Sequence, residues 1–520
     1  MSKSVSYKLV NLSAIIVLAA MCLTMLANSM LKPVSRDEHM YCTAGVLMSK
    51  GLLPYRDFSY IAQPPYHPLF YAAIFKLTGT THYLLAARLL SVVFDCLIIF
   101  CIVSIFRKVF APYPIIGTAL GLVGAALFVF NPVADYLCGL AWNHDAVLLY
   151  IVLSFRLFLE LGDDDKFSIL RIAAIAALLT IATWTRATSA IIMLLFFAMI
   201  VSRFKFRHIS VFIASAAVFS LWPVWVIGQQ SRSFILNILV IPVLNGELLH
   251  QIGMAYDKLY LTVEILANEE YAILVLATVF LWFYLFFCRK KLTPAEVSGS
   301  INTVFSLLLV AAFFIIAYIP ATIWIQYFGP PAVLMIIALA FPLRYLLTIE
   351  PSGHKGRVHF RIPVMIILAL TAVTIVRQRP VENIRQVLKI SSWTPIQFHE
   401  ISRDIVAQAK RSKQVLTFSP LYALEGGGRI YTEFSAGPFA CRVAAQLSDS
   451  DKLITHTAGF ADIEALIEKR PADLILIGPE TIDFEKIGLE SAVTPDWLWQ
   501  YDKQTGISIW LRLESPITDN

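Results

Sequence analysis

Long apolar runs recur along this 520-residue chain, separated by shorter polar stretches. A helix needs about 20 apolar residues to cross a bilayer. Eleven segments approach that length: 9–31, 84–106, 114–130, 145–161, 169–184, 187–202, 209–227, 271–288, 301–318, 328–347 and 362–376. In lipid each backbone polar group must find its partner within the segment, so such runs are read as helices. Hydrophobic residues make up 58% of the chain and charged ones 15%, against about 45–50% and about 25% in a soluble domain. A cytosolic enzyme is excluded, and an α-helical polytopic membrane protein is expected. Lys3 and Lys8 precede the first run, which exceeds the apolar core of a cleaved signal, so it reads as an uncleaved anchor.

Lys and Arg placement sets the expected orientation. With the N-terminus in the cytoplasm, the cytoplasmic loops carry Arg107 and Lys108; Lys166 and Arg171; Arg203, Lys205 and Arg207; Arg289, Lys290 and Lys291; and Lys355, Arg357 and Arg361. The opposite loops at 131–144 and 319–327 hold neither residue type. Residues 1–376 then form a membrane domain with long outer loops at 32–83 and 228–270. Residues 377–520 form an extracytoplasmic α/β domain, with strands expected at 415–419, 473–478 and 507–513 and helices at 439–447 and 462–469. The net charge of +6 comes with no basic block dense enough for nucleic acid. Seven scattered cysteines form no CxxC pair, and neither a metal nor another cofactor is expected.

The first outer loop carries the chemistry. Asp37 and Glu38 follow the first run directly, and Met40, Tyr41, Ala44, Leu47 and Met48 recur at helical spacing, giving an interfacial helix that Gly51 would stop. Gly51-Leu52-Leu53-Pro54-Tyr55-Arg56-Asp57-Phe58 follows, then Gln63-Pro64-Pro65 and Pro68, for which the prolines impose an extended path. A carboxylate at this depth can take a proton from a hydroxyl nucleophile. The same acidic pair also suits a helix N-terminus, where negative charge is favoured.

The acidic pair, the helix, the G-x-x-P-Y-R-D-F block and the Pro-Pro turn together resemble the GT-C membrane glycosyltransferases. They look closest to the branch of protein O-mannosyltransferases, aminoarabinose transferases and lipopolysaccharide-core sugar transferases. The resemblance covers about residues 1–345, and its specific part is Asp37 to Pro68. It implies transfer of a sugar from a polyprenyl-phosphate donor to a glycan, lipid or protein acceptor outside the cytoplasm. It assigns the catalytic base to Asp37, the second acid of the pair to Glu38, and a further acid to Asp145 in Asn143-His144-Asp145. Tyr55, Gln63, Pro64 and Pro65 fall in the substrate loop. Some relatives carry Lys or His before the Pro-Pro pair, where this chain has Gln63, so the phosphate-binding cation is sought at Arg56, His67 and Arg186.

Other polar residues have structural readings beside these. Asp145 suits an N-cap, His144 reads as a surface residue, and Arg186 as snorkelling to the interface. Arg88 and Asp95, seven apart on one helix face, are expected to find partners within the bundle, and Arg156 with Glu160 forms an i,i+4 pair. Glu425-Gly426-Gly427-Gly428-Arg429 lacks the Lys-Ser/Thr ending of a phosphate loop. Gln326, Tyr327 and Phe328 carry no diagnostic pattern. A transporter or flippase of lipid-linked or small polar substrates is the alternative class, but no internal repeat or pair of broken helices supports it. A lipid-pyrophosphate-dependent polymerase or ligase would share the outward site. No retention signal or outer-loop sequon is evident, so a bacterial inner membrane is expected.

Overall fold

A computed structural model describes residues 3–162, 167–288, 300–348, 356–377, 380–503 and 505–513. Lys166, Arg289, Lys290, Lys291 and Lys355 of the orientation argument lie outside them. The protein is a polytopic helical membrane protein with a small C-terminal sheet. Its first helices are α1 (Lys3–Leu31), α2 (Arg36–Ser49), α3 (Tyr66–Thr78), α4 (Tyr83–Val109), α5 (Pro114–Val129), α6 (Pro132–Leu137) and α7 (His144–Phe158). After them come α8 (Ser168–Thr183), α9 (Ala190–Arg203), α10 (Phe206–Gln229), α11 (Ser231–Ile235), α12 (Ile241–Gln251), α13 (Lys258–Ala267) and α14 (Glu269–Cys288).

All eleven apolar runs fall on helix. Those at Asn11–Leu31, Tyr83–Val109, Phe206–Gln229, Ile301–Tyr318 and Ile325–Leu347 are long and apolar enough to cross a bilayer by themselves. Pro114–Val129, Ser168–Thr183, Ala187–Arg203 and Pro363–Arg377 are shorter apolar helices. The basic ends of these helices gather on one side of the bundle. There Arg156 lies 2.7 Å from Glu160, as expected, Arg171 is 3.2 Å from the same carboxylate, and Arg203 donates to Asn302. The acidic pair of the first loop stands at the opposite end of α4.

The 228–270 stretch departs from its reading as a loop. It is almost wholly helical, and Ser231–Gln251 is itself long and apolar enough to span. Its partners explain where it goes. Asn237 accepts from Ser59 and from the Tyr60 amide (3.1 Å), Asn237 O receives the Ala62 amide (2.9 Å), and Arg232 pairs with Asp451 at 2.7 Å. Polar residues spaced along an apolar helix thus tie it to the first loop and the tail.

The first loop is also more buried than expected. The α2 helix is not a half-exposed interfacial helix, since every residue from Glu38 to Leu47 is buried. One side packs on α3 and the other on the tail helix Pro420–Glu425. Pro68 does not extend the chain, because it lies in the first turn of α3, where no amide partner is lost. Gly51 follows the end of α2 with φ +89, as a stop residue should. Tyr55 (φ 67) and Ala62 (φ 59) also adopt left-handed backbone, a strained state that surrounding contacts must hold.

The tail builds a five-stranded sheet from β1 (Gln414–Thr417), β2 (Arg429–Ile430), β3 (Leu474–Ile477), β4 (Trp497–Asp502) and β5 (Ile507–Arg512), ordered β2-β1-β3-β5-β4. The pairs β1–β2 and β1–β3 are parallel, while β3–β5 and β4–β5 are antiparallel. Side chains alternate across a strand: Val415, Leu474, Leu476 and Ile509 join the core shared with α2 and α3, while Leu416, Ile475 and Ile477 face a second core. The expected strands are present. The 439–447 helix is broken into Pro438–Cys441 and a 3-10 turn at Ala444–Gln446. The triple glycine is a close-packed bend, for a Cβ on Gly426 would lie 2.3 Å from Ser402 O.

The α2–α3 contact depends on Gly45, where an added Cβ would meet Tyr71 Cβ at 2.5 Å. Gly45→Val is expected to destabilise the protein by about 1–3 kcal/mol through overpacking, read as a lowered midpoint of thermal unfolding in detergent.

Candidate active site

The acidic pair splits into two environments because successive helical residues point about 100° apart. Glu38 turns inward. Its carboxylate accepts Arg88 Nε at 2.8 Å and Nη2 at 2.7 Å, the Ala141 amide at 2.6 Å and the Ser35 amide at 2.8 Å. Both side chains of this pair are 0% exposed. The four bonds hold Glu38 ionised, and its pKa is lowered although burial alone would raise it. Arg88 also donates to the carbonyls of Ser29 and Lys32 (2.8 Å each) and of Pro33 (2.9 Å). These are carbonyls at the end of α1 that have no partner within the helix. Arg88 therefore pairs with Glu38 and not with Asp95.

Asp37 turns the other way. It is partly exposed and makes no hydrogen bond or ion pair among the described residues. Desolvation raises its pKa, opposed by the charges of Arg36, Arg186 and Arg442, while Glu38 adds to the rise. The result is an unengaged carboxylate in a cationic setting, which suits a proton acceptor.

Arg186 follows α8. Its Nη1 lies 3.0 Å from His144 Nε2 and 3.1 Å from Nδ1, and its guanidinium stacks on Tyr327 with Cζ 4.9 Å from the ring centre. His144, Arg186, Gln326 and Tyr327 line one cleft with Val147, Phe313 and Pro330. His144 is a buried wall of that cleft, not the surface residue expected. Tyr327, in the 3-10 turn Ile325–Phe328, had no sequence signal beyond its place before an apolar run.

The remaining candidates separate from this centre. Arg56 is exposed at a loop tip, paired with Asp57 at 2.6 Å, and its carbonyl accepts from His456. His67 is buried between Tyr41 and Tyr71 with no hydrogen-bond partner for its ring, and burial pushes its pKa down to about 3. It is uncharged at neutral pH and supplies no cation. Gln63 accepts from Asn143 Nδ2 at 2.6 Å and its carbonyl receives the Tyr55 hydroxyl, so these two residues brace the loop together with buried Pro64 and Pro65. Asp145 is not an N-cap: it lies inside the first turn of α7, fully buried, accepting the Gly139 amide at 3.0 Å. It neighbours Asp95 and Cys138.

The tail reaches α2 through residues that the sequence did not mark. His39 Nε2 lies 3.0 Å from Glu480 Oε1, Ser419 donates to the same oxygen, and Arg36 donates to the Glu480 carbonyl. Beside them Arg442 pairs with the buried Glu485 at 2.5 Å. These contacts set α2, and Asp37 with it, against the sheet.

No protein-family model and no curated protein sequence matches the chain. Its fold does match solved structures. ArnT from Cupriavidus metallidurans bound to undecaprenyl phosphate aligns over 99% of both chains with a TM-score of 0.56 at 12% identity. The archaeal oligosaccharyltransferase AglB from Archaeoglobus fulgidus, in complex with an inhibitory peptide and a dolichol-phosphate, aligns over 97% of this chain and 75% of its own at TM-score 0.51 and 10% identity. The chain shares the fold of these two proteins. That agrees with the architecture expected from the first loop, and the likeness to ArnT extends through the C-terminal sheet.

The buried pair gives a direct test. Arg88→Ala strands an uncompensated carboxylate at Glu38 and is expected to cost about 3–5 kcal/mol. Arg88→Ala combined with Glu38→Gln should recover part of that loss, measured by thermal unfolding of each protein in the same detergent.

Proposed function

We propose that this protein is a membrane glycosyltransferase of the GT-C type that moves a sugar from a polyprenyl-phosphate donor to an acceptor hydroxyl. The observation that carries the reading is the unengaged Asp37 carboxylate, turned away from Glu38 and under the charge of Arg186. Asp37 takes the proton of the acceptor hydroxyl as its oxygen attacks the anomeric carbon. The bond from that carbon to the phosphate oxygen breaks, and its electron pair leaves with the polyprenyl phosphate. A single displacement of this kind inverts the anomeric centre. Arg186, held on Tyr327 and His144, faces the charge that develops on the departing phosphate. Glu38 positions the helix and takes no part in proton transfer. Asp145, Arg56 and His67 are left without a catalytic part, and Tyr55, Gln63, Pro64 and Pro65 shape the loop over the site.

The site lies at the helix ends opposite the basic ones, which by the positive-inside rule supports a site outside the cytoplasm with the N-terminus inside. A bacterial inner membrane suits that orientation. Residues 377–520 then form an outer domain over the site, against which an acceptor would rest. ArnT and AglB were each solved with a polyprenyl or dolichol phosphate, which supports the donor class.

The test uses the full chain in detergent with radiolabelled polyprenyl-phosphate hexoses and pentoses, following loss of label from the lipid by transfer or hydrolysis. Asp37→Asn should lower consumption by about 10²–10⁴-fold, and Arg186→Gln by about 10²–10³-fold. Because Asp37 acts ionised and its pKa is raised, wild-type activity should fall as pH drops, on a limb above the ordinary aspartate value of 3.8. Equal consumption by wild type and Asp37→Asn contradicts the assignment. Binding of the donors without consumption returns the chain to the transporter class.

A further inference from the structure

Behind the site, three elements bring potential ligand atoms to one point. Asp95 comes from the middle of α4, Cys138 from the turn after α6, and Asp145 from the first turn of α7. Their carboxylate oxygens and Sγ all lie within 4.8 Å of one another. Asp95 and Asp145 are 0% exposed and Cys138 1%. Among the described residues outside the 138–139 turn, both oxygens of Asp95 and Oδ1 of Asp145 have no hydrogen-bond partner. Among the described residues, no cation forms an ion pair with either carboxylate. The nearby Lys32 ammonium donates to the carbonyls of Asp135 and Cys138 and stands 3.4 Å from Asp135 Oδ1.

Buried charges are paired or coordinate a metal, and three convergent donors drawn from separate elements make a coordination site. We propose that Asp95, Cys138 and Asp145 bind one divalent cation. A thiolate with two carboxylates is a borderline-soft set, which suits zinc, and water would complete a tetrahedral shell. The site contains neither Asp37 nor Arg186, so the ion is structural. It clamps the 138–145 turn, whose Ala141 amide holds Glu38 and whose Gly139 carbonyl receives Ser29. Through that turn it fixes the helix that presents Asp37.

The experiment uses tag-free full-length protein purified in detergent, with metal content measured by mass spectrometry. Wild type should retain about one zinc per chain, and Cys138→Ser and Asp95→Asn close to none. Chelator-treated wild type reloaded with Co²⁺ should show a thiolate-to-cobalt charge-transfer band that Cys138→Ser lacks. Chelation should lower the unfolding midpoint of wild type and leave that of Cys138→Ser unchanged. Wild type without stoichiometric metal and without the cobalt band overturns the proposal. The two carboxyl groups would then share one proton and carry a single negative charge between them. The cobalt measurement on wild type decides the question even if Asp95→Asn fails to fold.

Discussion

The ion pair of Glu38 with Arg88 organises the outer half of the molecule. A single guanidinium binds both carboxylate oxygens, closes the end of α1 by donating to its last unpartnered carbonyls, and belongs to α4. Three helices are thereby fixed at the point where the chain leaves the bundle. A buried pair of this kind repays its desolvation only when its remaining hydrogen-bonding positions are filled, and here the Ala141 and Ser35 amides fill them. With Glu38 anchored inward, the helical step leaves Asp37 aimed at the opposite side. One acid is spent on structure, and its neighbour stays free for chemistry.

Around that anchor the protein is built in layers. The bundle supplies Arg186 and His144 at helix ends, the turn before the late apolar run supplies Tyr327, and the sheet closes over α2 with Glu480 and Arg442. Burial alone would raise the Glu480 carboxyl, but His39 and Ser419 hold it down at about 2, so that acid stays charged at neutral pH. The cleft therefore lies among segments far apart in the chain, each held by at least one buried polar contact. Such a centre is preorganised, which favours stabilisation of developing charge over induced rearrangement.

How much of this could be read beforehand follows from the range of each interaction. Apolar runs are local, so the membrane helices and the three main strands were evident from hydropathy and alternation. Asp37 and Arg186 stood out as charges at membrane level. Apart from the family resemblance, the residue pattern does not separate Glu38 from Asp37, because adjacent acids look alike until a partner 50 residues away claims one of them. His144 and Tyr327 carry their meaning only through Arg186, a tertiary contact without local pattern. The 231–251 helix was read as loop because its polar residues, Asn237 among them, break the run while serving as anchors. Asp95 is expected to have its neighbours within the bundle, and they are Cys138 and Asp145, brought from other segments.

The most direct measurement compares two substitutions of similar size on adjacent residues. Thermal unfolding and donor turnover should be determined side by side for Asp37→Asn and Glu38→Gln in the same detergent. Asp37→Asn should keep the wild-type midpoint and lose turnover, while Glu38→Gln should lower the midpoint and retain turnover in the fraction that stays folded. A Glu38→Gln protein with wild-type stability and no turnover, beside an active Asp37→Asn protein, would contradict the assignment of Asp37 as the base.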